Sequence, residues 1–252
     1  MCIVCSDMSI HTDGSSGPGR RRLLRVVLTG TVALAAGLVA GSPHPPQDPV
    51  AGGPGRVRPA TPASALRELE TGNARWRGLH ERHPDETRTV RQTLVGGQHP
   101  FAVVLGCVDS RVPPELVFDQ GLGDLLTVRS AGEVLDEAVL GSIAYGVLEL
   151  GIPLIVVLGH QSCGAVAAAV RADEGGPALP GHMQYLVDQI HPAIDHTLRG
   201  AARIDAAITA NVTLVRARLA AEPELAAKIA AGDLAVVGAR YELTSQRVRR
   251  IG

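Results

Sequence analysis

Two short motifs about fifty residues apart carry the residue types best suited to chemistry in this chain. The first contains Cys107, Asp109 and Arg111, the second contains His160 and Cys163, and each follows a strongly apolar run. Two thiolates and one imidazole suit zinc, and three protein ligands leave one coordination position open. Because an open position is typical of a catalytic metal, the motifs indicate chemistry rather than scaffolding.

The elements that must position these motifs follow from apolar patterning. Continuous apolar runs predict buried strands at 101–106, 125–128, 153–158 and 234–239. Helical spacing falls between and around them, at 65–77, 84–95, 134–150, 163–172, 183–198 and 204–221. This alternation predicts an α/β fold with a mostly parallel central β-sheet flanked by helices. Ligand sites form beyond the carboxyl ends of parallel strands, so Cys107 and His160 are expected to converge on one ion.

The N-terminus has the order of an export signal. Arginines at 20–22 and 25 precede an apolar stretch at 26–40, and small residues follow. The stretch is shorter than the about 20 residues of a membrane span, and its two arginines and two leucines resemble a twin-arginine signal. We expect residues 1–41 to direct export to the periplasm, the cell wall or the medium. The alternative is a retained N-terminal membrane anchor.

Composition after the signal predicts a linker and one folded domain. Residues 42–63 are rich in Pro and Gly and are expected to form the linker, so the domain would span 64–252. The net charge of −1 gives no basis for a nucleic acid partner. No stable membrane span is expected once the signal is removed.

The residues alone leave two other interpretations of the cysteines open. Export would allow a disulfide between Cys107 and Cys163, although a disulfide would give His160 no role. A structural zinc would need a fourth ligand. Three histidines could in principle supply it, although each falls in a predicted loop or helix surface: His182, His191 and His196.

A wider set of short sequences surrounds the two motifs in a fixed order. They are Gly106–Val112 with Pro114–Glu115 and Phe118–Asp119, then Gly123–Leu125 and Val128–Arg129, then Gly159–Ala165. Together they closely resemble the β-class carbonic anhydrases. The match runs from about 66 to 251 and includes Gly72–Arg75, Val237–Ala239 and Tyr241.

The resemblance implies an activity and a ligand set. The activity would be reversible hydration of carbon dioxide to bicarbonate and a proton, by attack of a zinc-bound hydroxide. Cys107, His160 and Cys163 would be the zinc ligands. Asp109 and Arg111 would form a dyad beside the metal, and Asp109 would be the fourth ligand in a closed state.

The resemblance also implies a substrate pocket and an assembly. Gln98 and Tyr145 would line the carbon dioxide pocket, and Gly164 would present a backbone N–H to the substrate. The chain would form a homodimer or homotetramer with the active site near the subunit interface. Two departures from the family pattern are Leu126, where an aromatic residue is common, and Arg-Ser-Ala-Gly-Glu at 129–133, where Arg-Asn-Ala-Gly-Asn is common.

Two alternative functions remain for a chain with these motifs. One is a related zinc hydrolase of small cumulated substrates such as carbon disulfide. The other is a zinc-bearing structural or interaction protein without turnover. Neither departure from the family pattern removes a metal ligand or the dyad, so hydration of carbon dioxide is the primary expectation.

Overall fold

The protein's core is a five-stranded sheet flanked by helices. The structure, a computed structural model, describes residues 57–252. The predicted export signal and the linker as far as residue 56 lie outside this part. The strands are β1 Ala102–Gly106, β2 Leu125–Arg129, β3 Leu154–His160, β4 Ala235–Glu242 and β5 Arg247–Ile251. They lie in the order β2-β1-β3-β4-β5, all parallel except β5, which pairs antiparallel with β4. The predicted α/β fold with a mostly parallel sheet is confirmed.

Eight α-helices cover the sheet within residues 57–252. They are α1 Pro62–Arg77, α2 Arg88–Thr93, α3 Pro114–Val117, α4 Glu137–Leu148, α5 Gly164–Asp173, α6 Met183–Ile190, α7 Gly200–Ala221 and α8 Pro223–Ala230. Three short 3-10 turns are Leu94–Gly96, Ala131–Glu133 and His191–Ala193. No helix in this described part is long and apolar enough to cross a bilayer.

The two central strands are buried on both faces, which explains their continuous apolar runs. Val103 of β1 and Ile155 of β3 point into a cluster shared with α4 and α7, whereas Val104 and Val156 point into a cluster shared with α1. Every residue of β1 and β3 is buried. The central strands are therefore fixed by packing from both sides, and their carboxyl ends form a rigid base for side chains.

Several predicted elements have different limits or burial in the structure. Strand β2 is an edge strand and is only half-buried, as is the first half of β4, so neither is buried on both faces as predicted. The helix predicted over 183–198 ends at Ile190, because Pro192 lacks an N–H and disfavours helix at the residue before it. The helix predicted over 84–95 is helical only from Arg88, because His83 and Asp85 have positive φ.

Helix α1 begins two residues before the predicted start of the domain. Thr61 caps it by accepting a hydrogen bond from the Ser64 N–H, and Pro62 occupies the first turn, where its missing N–H costs nothing. Helical structure therefore starts within the last residues of the segment predicted as linker.

Arg58 extends the folded part further upstream. Its Nη1 donates hydrogen bonds to the backbone carbonyls of His99 and Gly123, and its Nη2 lies 3.7 Å from an oxygen of Asp124. These partners lie just before β1 and β2. Arg58 thus joins the amino-terminal ends of two neighbouring strands.

Candidate metal centre

The three predicted ligands lie at the carboxyl edge of the two central strands. Cys107 directly follows β1, His160 is the last residue of β3, and Cys163 precedes the first turn of α5. Because β1 and β3 are parallel neighbours, their ends meet at the same edge of the sheet. All three side chains are buried, so the site is shielded from bulk water.

The ligand atoms are spaced as a zinc site requires. The two Sγ atoms are 3.9 Å apart, and the donor atoms of Cys107, His160 and Cys163 all lie within 4.8 Å of one another. Tetrahedral zinc with Zn–S distances of about 2.3 Å would separate two sulfurs by about 3.8 Å. Both cysteines are free thiols, so the disulfide interpretation is wrong for this structure.

The imidazole of His160 is oriented as a metal ligand. Its Nδ1 lies 3.0 Å from the backbone carbonyl of Gln161, which can only accept a hydrogen bond, so Nδ1 carries the proton. Its Nε2 is buried and has no hydrogen-bond partner in the described part of the chain. A buried nitrogen with a free lone pair is what a coordinated cation would satisfy.

The two thiols also favour a cation between them. A hydrogen bond from Cys163 lowers the pKa of Cys107 to about 4, with burial opposing the change. The contact with that thiolate, together with burial, raises the pKa of Cys163. Only one buried thiol therefore ionises readily, because two like charges this close repel each other. A divalent cation would remove this repulsion, so the donor set fits zinc.

Asp109 and Arg111 form a bidentate ion pair beside the three ligands. Arg111 Nε lies 2.9 Å from Asp109 Oδ1, and Nη2 lies 2.6 Å from Oδ2. The side-chain hydrogen bond from Arg111 lowers the pKa of Asp109 to about 2, so the carboxylate is ionised at neutral pH. Oδ2 lies 3.9 Å from His160 Nε2, and Asp109 is not one of the three clustered ligands. The carboxylate therefore borders the metal position while Arg111 holds it.

A cavity of about 290 Å³ opens beside this edge. Cys107, Asp109 and Gly164 line it, and Leu186 and Val187 are among its apolar lining residues. The cavity therefore offers a small apolar space next to the three residues that would hold a metal, which suits a small uncharged substrate.

One chain does not bring every predicted site residue together. Gly164 lines the cavity, but Gln98 and Tyr145 do not, and both side chains are exposed. Within residues 57–252 no further cysteine or histidine joins the three ligands. His191 and His196 instead lie near Asp173, so the structural zinc interpretation has no fourth cysteine or histidine in the described part.

Three contributing residues had no role assigned from sequence, although all lie in segment 129–133. Arg129 donates to the backbone carbonyls of Cys107 and Asp109, at 2.8 and 2.6 Å, and the Gly132 N–H lies 3.4 Å from Cys107 Sγ. Glu133 is buried with Oε1 unpartnered in the described part, and burial raises its pKa well above the usual value. For Glu133 the departure from the family pattern was the available signal, whereas Arg129 and Gly132 match that pattern.

Comparisons with known proteins agree with this geometry. The family model "Carbonic anhydrase" matches residues 102–248. The chain is 44% identical over 191 residues to carbonic anhydrase 2 of Mycobacterium tuberculosis, covering 74% of this chain and 91% of that protein. It is 43% identical over 191 residues to a carbonic anhydrase of Mycolicibacterium smegmatis, covering 75% and 93%.

Solved structures share the fold as well. A Coccomyxa β-carbonic anhydrase in complex with acetazolamide is 26% identical, with a TM-score of 0.57 over 64% of this chain and 75% of that chain. One of two tetrameric β-carbonic anhydrases from Sordaria macrospora is 22% identical, with a TM-score of 0.61 over 74% and 96%. With a Cys-His-Cys group that could hold a metal at the edge of a mostly parallel sheet, the chain belongs to the β-class carbonic anhydrases.

Proposed function

We propose that Cys107, His160 and Cys163 bind zinc and that this centre carries the carbonic anhydrase activity, the reversible hydration of carbon dioxide to bicarbonate and a proton. The observation that carries the proposal is the unsatisfied His160 Nε2 beside two buried thiols, next to the Asp109–Arg111 pair. Zinc, when bound, makes a coordinated water acidic enough to ionise near neutral pH, a behaviour known from carbonic anhydrases themselves.

The surrounding residues orient the reactants. Asp109 is ionised and can only accept hydrogen bonds, so it would orient the O–H of the nucleophile and direct its lone pair into the cavity. Arg111 binds both oxygens of this carboxylate and so keeps it ionised and fixed in place. Gly164 contributes a backbone N–H in the exposed first turn of α5, where it can bind an oxygen of carbon dioxide or bicarbonate.

Stopped-flow measurement of carbon dioxide hydration, combined with zinc analysis, tests the proposal. We expect about one zinc bound by these three ligands and turnover that improves at alkaline pH, because two thiolates reduce the net charge at zinc. A zinc-replete protein without hydration at about pH 8 to 9 would contradict the mechanism. Hydrolysis of carbon disulfide in its place would favour the related hydrolase.

We further propose a homodimer or homotetramer in which a second chain supplies Gln98 and Tyr145 to the cavity. Both side chains are exposed and lie outside the cavity in one chain, and Tyr145 is 49% exposed on a helix that also exposes Leu148. A fold relative from Sordaria macrospora is tetrameric. An exposed apolar face is what a subunit contact would cover.

The location is proposed from the N-terminal sequence. Arginines at 20–22 and the apolar stretch at 26–40 support export by the twin-arginine route. Fusion of residues 1–63 to a reporter, with and without Arg20→Lys and Arg21→Lys, tests this route. Export that survives both substitutions would count against it, and a reporter retained uncleaved in the membrane would support the anchor.

A further inference from the structure

A second group of potential metal ligands lies away from the three zinc ligands. Asp173 is the last residue of α5, His191 begins the 3-10 turn after α6, and His196 lies in the loop before α7. Cys163 precedes the first turn of the same α5, so the two groups lie at opposite ends of that helix. One carboxylate and two imidazoles form a donor set that suits zinc and neighbouring transition metals.

The spacing of the donor atoms fits a single ion. His191 Nε2 lies 3.0 Å from Asp173 Oδ1, and His196 Nδ1 lies 3.3 Å from Asp173 Oδ2. Ligands at about 2.0 to 2.2 Å from zinc are separated by about 2.8 to 3.6 Å in octahedral or tetrahedral geometry. The donor atoms of all three residues lie within 4.8 Å of one another.

The three side chains differ in burial, and the exposed ones can take up a metal ion from solvent. The side chain of Asp173 is only 9% exposed, whereas those of His191 and His196 are 54% and 61% exposed. The carboxylate is therefore fixed in the protein and the imidazoles are open to an arriving ion. Glu174 and Asp195 add negative charge around the group.

Arg203 is the cation that neutralises this group in the structure. Its Nη2 lies 2.9 Å from His196 Nδ1 and 3.4 Å from Asp173 Oδ2. Arginine only donates, so His196 Nδ1 accepts this bond with the lone pair that a metal would use. The other nitrogens of Arg203 bind the Asp195 carbonyl and Glu174. Because the guanidinium is planar and rigid, withdrawal of Nη2 also loosens these two bonds, which weakens metal binding.

We propose that Asp173, His191 and His196 form a second, weaker site for a divalent transition metal of the zinc class. The metal replaces the Arg203 contact at His196 Nδ1. It joins the end of α5 to the 3-10 turn and to the loop before α7. Because it competes with a fixed positive charge, this site binds zinc more weakly than the two-thiolate centre.

Zinc content of the zinc-loaded full chain tests the proposal directly. After equilibrium dialysis against about 50 µM free zinc, we expect about two zinc ions per chain for the native protein. The double variant His191→Ala and His196→Ala should hold about one. His182→Ala, which removes an exposed histidine outside the group, should still hold about two.

Retention of the first zinc shows that each variant is folded, because that zinc needs the assembled Cys-His-Cys centre. If the double variant loses both ions, Asp173→Asn, which preserves the shape of the side chain, replaces it and should hold about one. Equal zinc contents in the native protein and in these variants would overturn the proposal. Asp173, His191 and His196 would then form only a hydrogen-bonded cluster.

Substitution of Arg203 should raise the zinc affinity of the second site, whereas substitution of the two histidines should remove that site. Arg203→Gln removes the competing charge, so half-saturation of the second site should occur at an about tenfold lower free zinc concentration. If Arg203→Gln takes up no second zinc, or takes it up more weakly, the assignment of Arg203 as the competitor is overturned.

Discussion

Two arginines hold Asp109, one through its side chain and one through its backbone. Arg111 binds the carboxylate through two side-chain nitrogens, and Arg129 binds the backbone carbonyl of the same residue. Arg129 also binds the carbonyl of Cys107, so one guanidinium fixes the backbone of a metal ligand and of its neighbouring carboxylate. The ionisation of Asp109 and its position are thus set by different contacts.

Asp109→Asn separates the role of the carboxylate from that of the metal ligands. The amide keeps the shape but presents a donor where the nucleophile needs an acceptor, so kcat should fall on the order of 10²-fold. The zinc content should stay unchanged, because the three ligands remain. Stopped-flow hydration and metal analysis measure the two quantities.

Asp188→Asn is the matched control, since Asp188 is an exposed carboxylate on α6 outside the cavity. It should retain both activity and zinc. Native activity in Asp109→Asn would show that the carboxylate does not orient the nucleophile.

Glu133→Gln should change how stability depends on pH. Burial raises the pKa of Glu133 in the folded state above its unfolded value, so the folded protein keeps a proton that the unfolded chain has lost. Stability therefore falls as pH rises from about 4.5 towards the folded pKa, by at most about 1.4 kcal/mol per pH unit. Glutamine does not titrate, so Glu133→Gln removes this pH-dependent part of the free energy of unfolding.

The measurement is urea unfolding of the zinc-loaded protein at several pH values between about 5 and 8. The free energy of unfolding of Glu133→Gln, relative to the native chain, should increase with pH. Parallel curves for the two proteins would show that Glu133 binds no extra proton when folded.

At the scale of elements, the contact between α1 and α3 depends on a residue without a side chain. A Cβ built on Gly72 would lie 1.7 Å from the backbone carbonyl oxygen of Phe118. Asn73, the next residue, donates to the Val117 carbonyl and accepts from the Val248 N–H. At this point the backbone of α1 therefore lies directly against the end of α3, and the Asn73 side chain joins α1 to β5.

Two glycine-to-alanine substitutions in helices should have opposite effects. Gly72→Ala forces α1 away from α3, and we expect a loss of about 3 kcal/mol or more. A Cβ on Gly141 in α4 meets no atom of the same chain within 4 Å, so Gly141→Ala should stabilise the fold of the single chain by about 0.5 to 1 kcal/mol. Thermal or urea unfolding compares them, and equal effects at both positions would contradict the close approach.

Elements with a continuous or periodic apolar pattern were predictable from sequence, and short elements without one were not. Strands β1 and β3 carry unbroken apolar runs because both of their faces are covered, and the proposed metal ligands Cys107 and His160 lie at their ends. Strand β5 was not predicted, because its Arg-Val-Arg-Arg-Ile sequence is that of an exposed edge paired on one side. Helices α3 and α8 were also missed, since each is short and begins at a proline.

The site was predictable only where residue type reveals chemistry. Cysteine, histidine and the Asp109–Arg111 pair are chemically distinctive, and the structure brings them together. Arg129 acts through backbone carbonyls and Gly132 through its N–H. Such contacts depend on the turn between β2 and α4, whose geometry a single sequence does not specify.

At the scale of the whole molecule, assembly of two incomplete chains tests where Gln98 and Tyr145 act. A Cys163→Ala chain lacks a metal ligand, and a chain with Gln98→Ala and Tyr145→Ala lacks the proposed pocket residues. In a mixed dimer, one site would combine native ligands with native pocket residues from the other chain. A 1:1 mixture should therefore regain about a quarter of native activity.

Each variant alone should be nearly inactive, and size-exclusion chromatography should show that each still assembles. If the mixture only reproduces the average of the two inactive proteins, the pocket residues do not come from a second chain.

The contact of Arg58 has a practical consequence for anyone shortening this protein. A chain that starts at Ser64 matches the compositional boundary, but it removes the guanidinium that joins the carbonyls of His99 and Gly123. It also deprives α1 of its Thr61 cap. Arg58→Ala in the full chain should accordingly lower the free energy of unfolding measured in urea, because the carbonyls of His99 and Gly123 lose a donor.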